Sequence, residues 1–238
     1  MYFYRFLGVV TISIAAFPVA ALAQNQLVVQ RLDQENAEHP TLSQSDAKSA
    51  IFEKVKKIAE SNGQCVPTGV TAEAPVAITG DPFLFPMVLA GNVKNVWRVY
   101  AQYEGCNDNM IRRFAVIDTN EDKRIAVPIN PGRSLTSVKL MRDTSPAAGL
   151  QAAAAAKKQK TDCDATDMEL ISTQVIDESK DLGPEIYGVR YVGSWTESWR
   201  LKTCGLVFDV PIAFSADGDG GAFTNIKGEA VREFIAQQ

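Results

Sequence analysis

Trp97-Arg98-Val99-Tyr100-Ala101-Gln102-Tyr103-Glu104-Gly105-Cys106 and Trp195-Thr196-Glu197-Ser198-Trp199-Arg200-Leu201-Lys202-Thr203-Cys204 each run from a tryptophan to a cysteine, and they lie 98 positions apart. Working outward, Cys65 precedes the first and Cys163 the second by the same interval, so Cys-x31-Trp-x8-Cys occurs twice. The chain has 4 cysteines and 3 tryptophans in 238 residues, so chance is a poor explanation for two gap lengths that agree. The sequence therefore reads as a tandem duplication, with repeats over residues 45–142 and 143–238.

The periodicity inside each repeat indicates an α+β fold. From Ser45 to Ser61, Ala47, Ile51, Val55, Ile58 and Ala59 share one helical face, and Asn62-Gly63 supplies a stop. The window shifted by 98 is Asp143 to Gln159. There Ser145-Pro146 reads as a helix start, Ala152 to Ala156 favour helix, and Lys157-Lys158 complement its carboxyl end. After each first cysteine the period changes to two. Strands are expected over Val70–Ile78, Val93–Tyr103, Ile111–Ile117 and Ile125–Ile129, and over Met168–Ile176, Gly188–Thr203, Leu206–Phe214 and Ala222–Ile226. Asp118-Thr119-Asn120-Glu121-Asp122 and Ala216-Asp217-Gly218-Asp219-Gly220-Gly221 read as hairpin turns. Glu229–Gln237 reads as a closing helix. Each copy is thus a helix followed by an antiparallel β-meander, with the helix covering one sheet face.

The amino terminus places the protein outside the cytoplasm. Arg5 is followed by an uncharged run from Phe6 to Ala20 and then Ala21-Leu22-Ala23-Gln24, which reads as a secretory signal peptide over residues 1–23. Cleavage after Ala23 removes 23 of 238 residues and Arg5, leaving 215 residues and changing the formal charge from -4 to -5. Such an acidic chain lacks the basic footprint of a nucleic-acid binder. No later stretch is apolar enough for a membrane anchor. In an exported protein, four cysteines read as two disulfides. Three pairings exist, and duplication selects Cys65–Cys106 with Cys163–Cys204, each worth about 4 kcal/mol through its loop. Residues 24–44, polar and carrying the lone His39, read as a flexible arm.

No familiar catalytic constellation is present. With one histidine and paired cysteines, a nucleophile–base pair or ordinary zinc site has no candidates, so neither a catalytic residue nor a metal or other cofactor is expected. Asp118-Thr119-Asn120 departs from a duplicated aspartic-protease site, because repeat two offers Ala216-Asp217-Gly218. Asp118, Asn120 and Asp122 match the first ligands of a calcium loop, but Lys123 and Ile129 occupy its glycine and glutamate positions. The strand at Trp195 is the candidate binding surface. Alternation places Trp195, Glu197 and Trp199 on one face, a carboxylate between two indoles, where repeat one has Trp97, Val99 and Ala101. This face reads either as a platform for sugar or peptide, or as a packed core whose glutamate reaches an edge or pairs with an arginine such as Arg190. Phe83-Leu84-Phe85-Pro86-Met87 reads as a contact loop or the entry into a buried strand.

Trp195-x-Glu197-x-Trp199, Cys204-Gly205, Val210-Pro211-Ile212-x-Phe214 and Asp217-Gly218-x-Gly220-Gly221 resemble a motif of uncharacterised small exported proteins of proteobacteria. The resemblance covers about the last fifty residues, and repeat one departs from it at Asn107. It implies a periplasmic location and a disulfide, and no activity. The expected function is a periplasmic or secreted, non-catalytic module that binds an envelope protein or cell-wall component. The alternatives are a glycan-acting enzyme that works through carboxylates such as Glu197, and an inhibitor of an envelope hydrolase.

Overall fold

The computed structural model describes residues 26, 29–34, 37, 41–107, 109–159, 162–163 and 167–234. The signal peptide and cleavage site expected from the sequence, and His39, lie outside the described residues. Helix α1 (Gln44–Asn62) is followed by strands β1 (Gly69–Ala72) and β2 (Val76–Ala77). Next come a short helix α2 (Phe85–Leu89) and strands β3 (Val93–Glu104), β4 (Arg112–Thr119) and β5 (Arg124–Pro131). The second half has helix α3 (Val138–Gln159) and strands β6 (Glu169–Glu178), β7 (Ser194–Thr203), β8 (Leu206–Ala216), β9 (Ala222–Ile226) and β10 (Arg232–Glu233).

The strands form two antiparallel sheets. The first runs β1-β3-β4-β5 with β2 also on β3, and the second runs β6-β7-β8, with β9 and β10 both on β8. Registers recur at an offset of 98. Trp97 opposes Val116 and Trp195 opposes Phe214, while Val99 opposes Phe114 and Glu197 opposes Ile212. One strand further on, Ile117 opposes Ile125 and Ser215 opposes Phe223. The first strands break the offset, with Val70 opposite Tyr103 but Leu170 opposite Leu201.

Each helix buries one face on its own sheet. Ala47, Ile51 and Val55 of α1 pack on Val70, Trp97, Val99, Phe114 and Val116. Ala148, Ala152 and Ala156 of α3 pack on Trp195, Trp199, Phe208, Val210, Ile212 and Phe214. The small alanines let α3 come close to a sheet that carries large aromatic side chains. Fully burying a side chain such as Ile51 or Val55 contributes about 1.5–3 kcal/mol. The disulfides Cys65–Cys106 and Cys163–Cys204 tie the end of each helix to its sheet, each across a separation of 41 residues.

Several expected boundaries shift for identifiable reasons. The α3 helix starts at Val138 rather than at Ser145, because Ser137 Oγ accepts from Leu140 N at 3.0 Å and the Asp81 carboxylate accepts from Val138 N. Pro146 therefore lies inside α3, and the expected repeat boundary between residues 142 and 143 cuts this helix. Pro75 follows β1 and interrupts the strand expected over Val70–Ile78. Glu229–Gln237 does not form the expected helix as far as residue 234. A short turn of helix at Gly228–Ala230 leads into β10, which pairs with Phe208 and Asp209. Phe83–Met87 is neither loop nor strand but the approach to and first turn of α2, where Pro86 is tolerated because early helical N–H groups have no partner to lose.

Within the expected arm, residues 29–34 are helical. Leu32 is buried facing Gly80, and Asp33 accepts a hydrogen bond from Tyr187 Oη at 2.5 Å.

An isolated parallel bridge, Gly132 to Thr173, joins the halves and is reinforced by Arg133 N donating to Thr173 O at 2.9 Å. Asn130 Nδ2 donates to Thr173 Oγ1 at 2.8 Å. Gly132 has φ +85°, and a Cβ there would stand 2.1 Å from Thr173 O. Glycine is therefore required both by its conformation and by the close approach. The β6–β7 loop reaches back over the first sheet, where Gly80 N donates to Tyr187 O at 2.9 Å.

Candidate functional site

The tryptophan strand is not a surface. Trp195, Glu197 and Trp199 are 3%, 0% and 0% exposed, because α3 covers the β7 face that carries them. Trp195 stacks on Phe214 with ring centroids 5.2 Å apart. Four donor groups converge on Glu197. Trp195 Nε1 and Leu135 N donate to Oε1 at 3.0 and 2.8 Å, Trp199 Nε1 donates to Oε2 at 2.8 Å, and Ser134 Oγ lies 2.8 Å from Oε2. The packed-core reading holds, but Arg190 is not the partner. The partners are the two flanking indoles and the segment between β5 and α3.

The arrangement follows from the β-pleat. Residues 195, 197 and 199 point to one side, so each indole N–H can swing towards the carboxylate between them. Burying a carboxylate is costly unless hydrogen bonds replace its water, and these donors replace it. Ser134 is itself held, with its Oγ 2.6 Å from Thr136 Oγ1 and accepting from Thr136 N at 3.1 Å. Glu197 thus clamps the connection between halves to the second sheet.

On the other side of Ser134 a cleft of about 510 Å³ opens between the halves. It lies between the back of β3, the β1–β2 connection, β6 and the β6–β7 loop, and it gathers Arg98, Tyr100 and Arg133 with Glu73, Glu185 and Arg190. Tyr100 donates its hydroxyl to Ser134 O at 2.9 Å, which fixes the ring in the cleft. The Arg133 and Arg98 guanidinium carbons lie 4.8 and 5.4 Å from the ring centroid, within cation–π range. Arg98 pairs with Glu185 at 2.5 Å across the halves. Arg133 pairs with Glu73 at the mouth, and that contact raises the guanidinium pKa. Arg190 Nη1 donates to Gly183 O at 2.6 Å.

Behind the cleft the charges are structural. Arg113 is buried and donates to Thr136 O at 2.9 Å, and burial lowers its pKa. Asp81 is buried at the start of α3, and desolvation raises its carboxyl above the ordinary value although the Phe83, Val138 and Lys139 amides pull the other way. Tyr187 is pushed up to about 12, first by desolvation and then by its hydrogen bond to Asp33.

The turn carboxylates also have local partners. Asp118 forms a two-point pair with Arg124 at 2.7 and 2.9 Å. Asp217 Oδ1 accepts from Asp219 N at 2.8 Å and from Gly221 N at 3.0 Å. Among the described residues, no group of three or more His, Cys, Asp or Glu side chains is placed to hold a metal ion. No helix among them is long and apolar enough to cross a membrane.

Apart from Arg190, no cleft residue stands out in the sequence. The available signal was the second face of β3, where Arg98 and Tyr100 alternate with Trp97 and Val99. The cleft exists only once the halves are docked, which repeat-by-repeat reading does not address. No protein family, curated protein or solved structure matches this chain.

Proposed function

We propose that this chain is a tandemly duplicated, exported, non-catalytic binding module of the bacterial envelope, periplasmic or secreted, and that the cleft between its halves is the site. The recurrence of β-registers at an offset of 98 supports duplication. Two disulfides suit an oxidising compartment, and the resemblance of the last fifty residues to exported proteobacterial proteins points to the same place. A cell-wall component or a segment of an envelope protein is the proposed partner.

One observation carries the choice of site. The junction cleft is lined by ordered side chains of both charge signs, whereas Trp195, Glu197 and Trp199 have no open face. Concave sites between lobes, with a few fixed polar groups on an apolar floor, are where ligands are usually held. A glycan cannot stack on the two indoles while α3 covers them.

Ala74 is exposed on the β1–β2 connection and lines the cleft, so Ala74→Trp fills the site without touching either core. Native mass spectrometry of the oxidised protein mixed with a soluble envelope extract tests the proposal. A ligand retained by the wild type and absent from Ala74→Trp is expected. Equal retention by both chains places the site elsewhere, and no retained ligand contradicts a binding module.

A further inference from the structure

The geometry points to the junction cleft as a site for a small organic monocarboxylate with an apolar body, which Arg133 receives in place of the Glu73 carboxylate. This rests on the cleft being the binding site. Glu73 lies on the β1–β2 connection and Arg133 on the segment after β5, so their pair spans the mouth. Both side chains are about half exposed, at 49% and 47%. An ion pair so open to water holds its members weakly, and a ligand carboxylate that displaces Glu73 trades one such contact for another.

Arg133 is ready for that exchange. Its guanidinium lies over the Tyr100 ring, and Tyr100 is fixed through Ser134, which Glu197 holds from the core side. Ordering costs on binding are therefore low at this end of the cleft. Glu73 meets Nη1 and Nη2 with different oxygens, so the fork is already set for a planar carboxylate.

Charge selects the class of anion. Three arginines, Arg98, Arg133 and Arg190, face three glutamates, Glu73, Glu178 and Glu185. Arg98 is committed to Glu185, and Arg190 donates to a backbone carbonyl. Turning Glu73 out to solvent leaves one uncompensated positive charge, which a monocarboxylate neutralises and a phosphate dianion overshoots. Val76, Leu135 and Val175 form the apolar wall for the rest of the ligand.

Isothermal titration calorimetry on the oxidised protein with hexanoate, hexanol and inorganic phosphate tests this assignment. Hexanoate is expected to bind, with the other two at least about tenfold weaker. Glu73→Gln removes the internal competitor and is expected to tighten hexanoate about fivefold, whereas Arg133→Met is expected to weaken it at least about tenfold. Both positions are half exposed, and a far-ultraviolet spectrum matching the wild type shows that each variant is folded. The assignment is overturned if neither wild type nor Glu73→Gln binds hexanoate, if Arg133→Met binds it unchanged, or if phosphate binds more tightly. An envelope ligand lost in Ala74→Trp, with no hexanoate binding, would remove the carboxylate class and leave the cleft standing. Hexanoate binding that survives Ala74→Trp would remove the cleft itself.

Discussion

Glu197→Gln exchanges one carboxylate oxygen for an amide NH2 in a space with no room to turn. If the remaining oxygen keeps the place of Oε1, it still accepts from Leu135 N and Trp195 Nε1. The new amide nitrogen then faces Trp199 Nε1 across the 2.8 Å that separated it from Oε2. Reversing the amide merely transfers the conflict to Trp195 and Leu135. A buried N–H without an acceptor costs about 1–3 kcal/mol, and the remaining bonds fall from roughly 1.5–3 kcal/mol each to about 1 when the charge is removed. Relief from desolvating a charge returns part of this, so the net loss is about 4 kcal/mol, at the high end for a single substitution that leaves a buried polar group unsatisfied. With a urea dependence of about 2–3 kcal/mol per molar, the unfolding midpoint should drop by about 1.5 M. The assay is urea unfolding of the oxidised protein, followed by tryptophan fluorescence and far-ultraviolet circular dichroism. Trp199→Phe removes one donor and should cost about half as much, and the double variant should fall short of the sum because both act on one network. A loss below about 0.5 kcal/mol for Glu197→Gln, the size of an ordinary surface change, would refute the buried clamp.

The remaining expectations concern the joint, the disulfides and Asp81. Gly132→Ala combines a positive φ with a Cβ driven into Thr173 O, so it should cost at least about 2 kcal/mol in urea unfolding, whereas Gly91→Ala, with open space around it, should cost less. Cys65 is exposed and Cys163 is buried, so mild reduction followed by alkylation and peptide mapping should open Cys65–Cys106 first, each bridge accounting for about 4 kcal/mol. Asp81 has a folded pKa above its unfolded value of 3.8, so the folded chain binds this proton more tightly. Its contribution is fully present below the unfolded value and is lost as pH rises through the folded value. Wild-type stability should therefore fall relative to Asp81→Asn as pH rises from about 4, and a difference that moves the other way contradicts the burial.

Much of the fold was legible because it rests on local periodicity. The alternation around Trp97 and Trp195 places β3 and β7, and the common cysteine spacing selects the pairing of both disulfides. The start of α3 was not legible, because its acceptor is Asp81, 57 residues upstream and on another element. Pro146 therefore looked like a beginning when it lies mid-helix. The site failed for a related reason. Alternation correctly put Trp195, Glu197 and Trp199 on one face, yet it cannot tell which face a helix will cover. The alanine run of α3 supplies that cover. Arg133 and Ser134 sit in the connection between β5 and α3, which carries no helical or strand periodicity, and Glu73 meets Arg133 only in the folded chain.

Hydroxyl-radical footprinting of the intact, oxidised protein tests most directly whether the tryptophan strand or the junction cleft is open to a ligand. Indoles are among the most reactive side chains, so their protection is informative. Trp195 and Trp199 should remain unmodified while Val76 and Arg133 at the cleft and the exposed Met87 are labelled. Oxidation of Trp199 at a rate comparable to Met87 would place that strand at the surface and contradict the account.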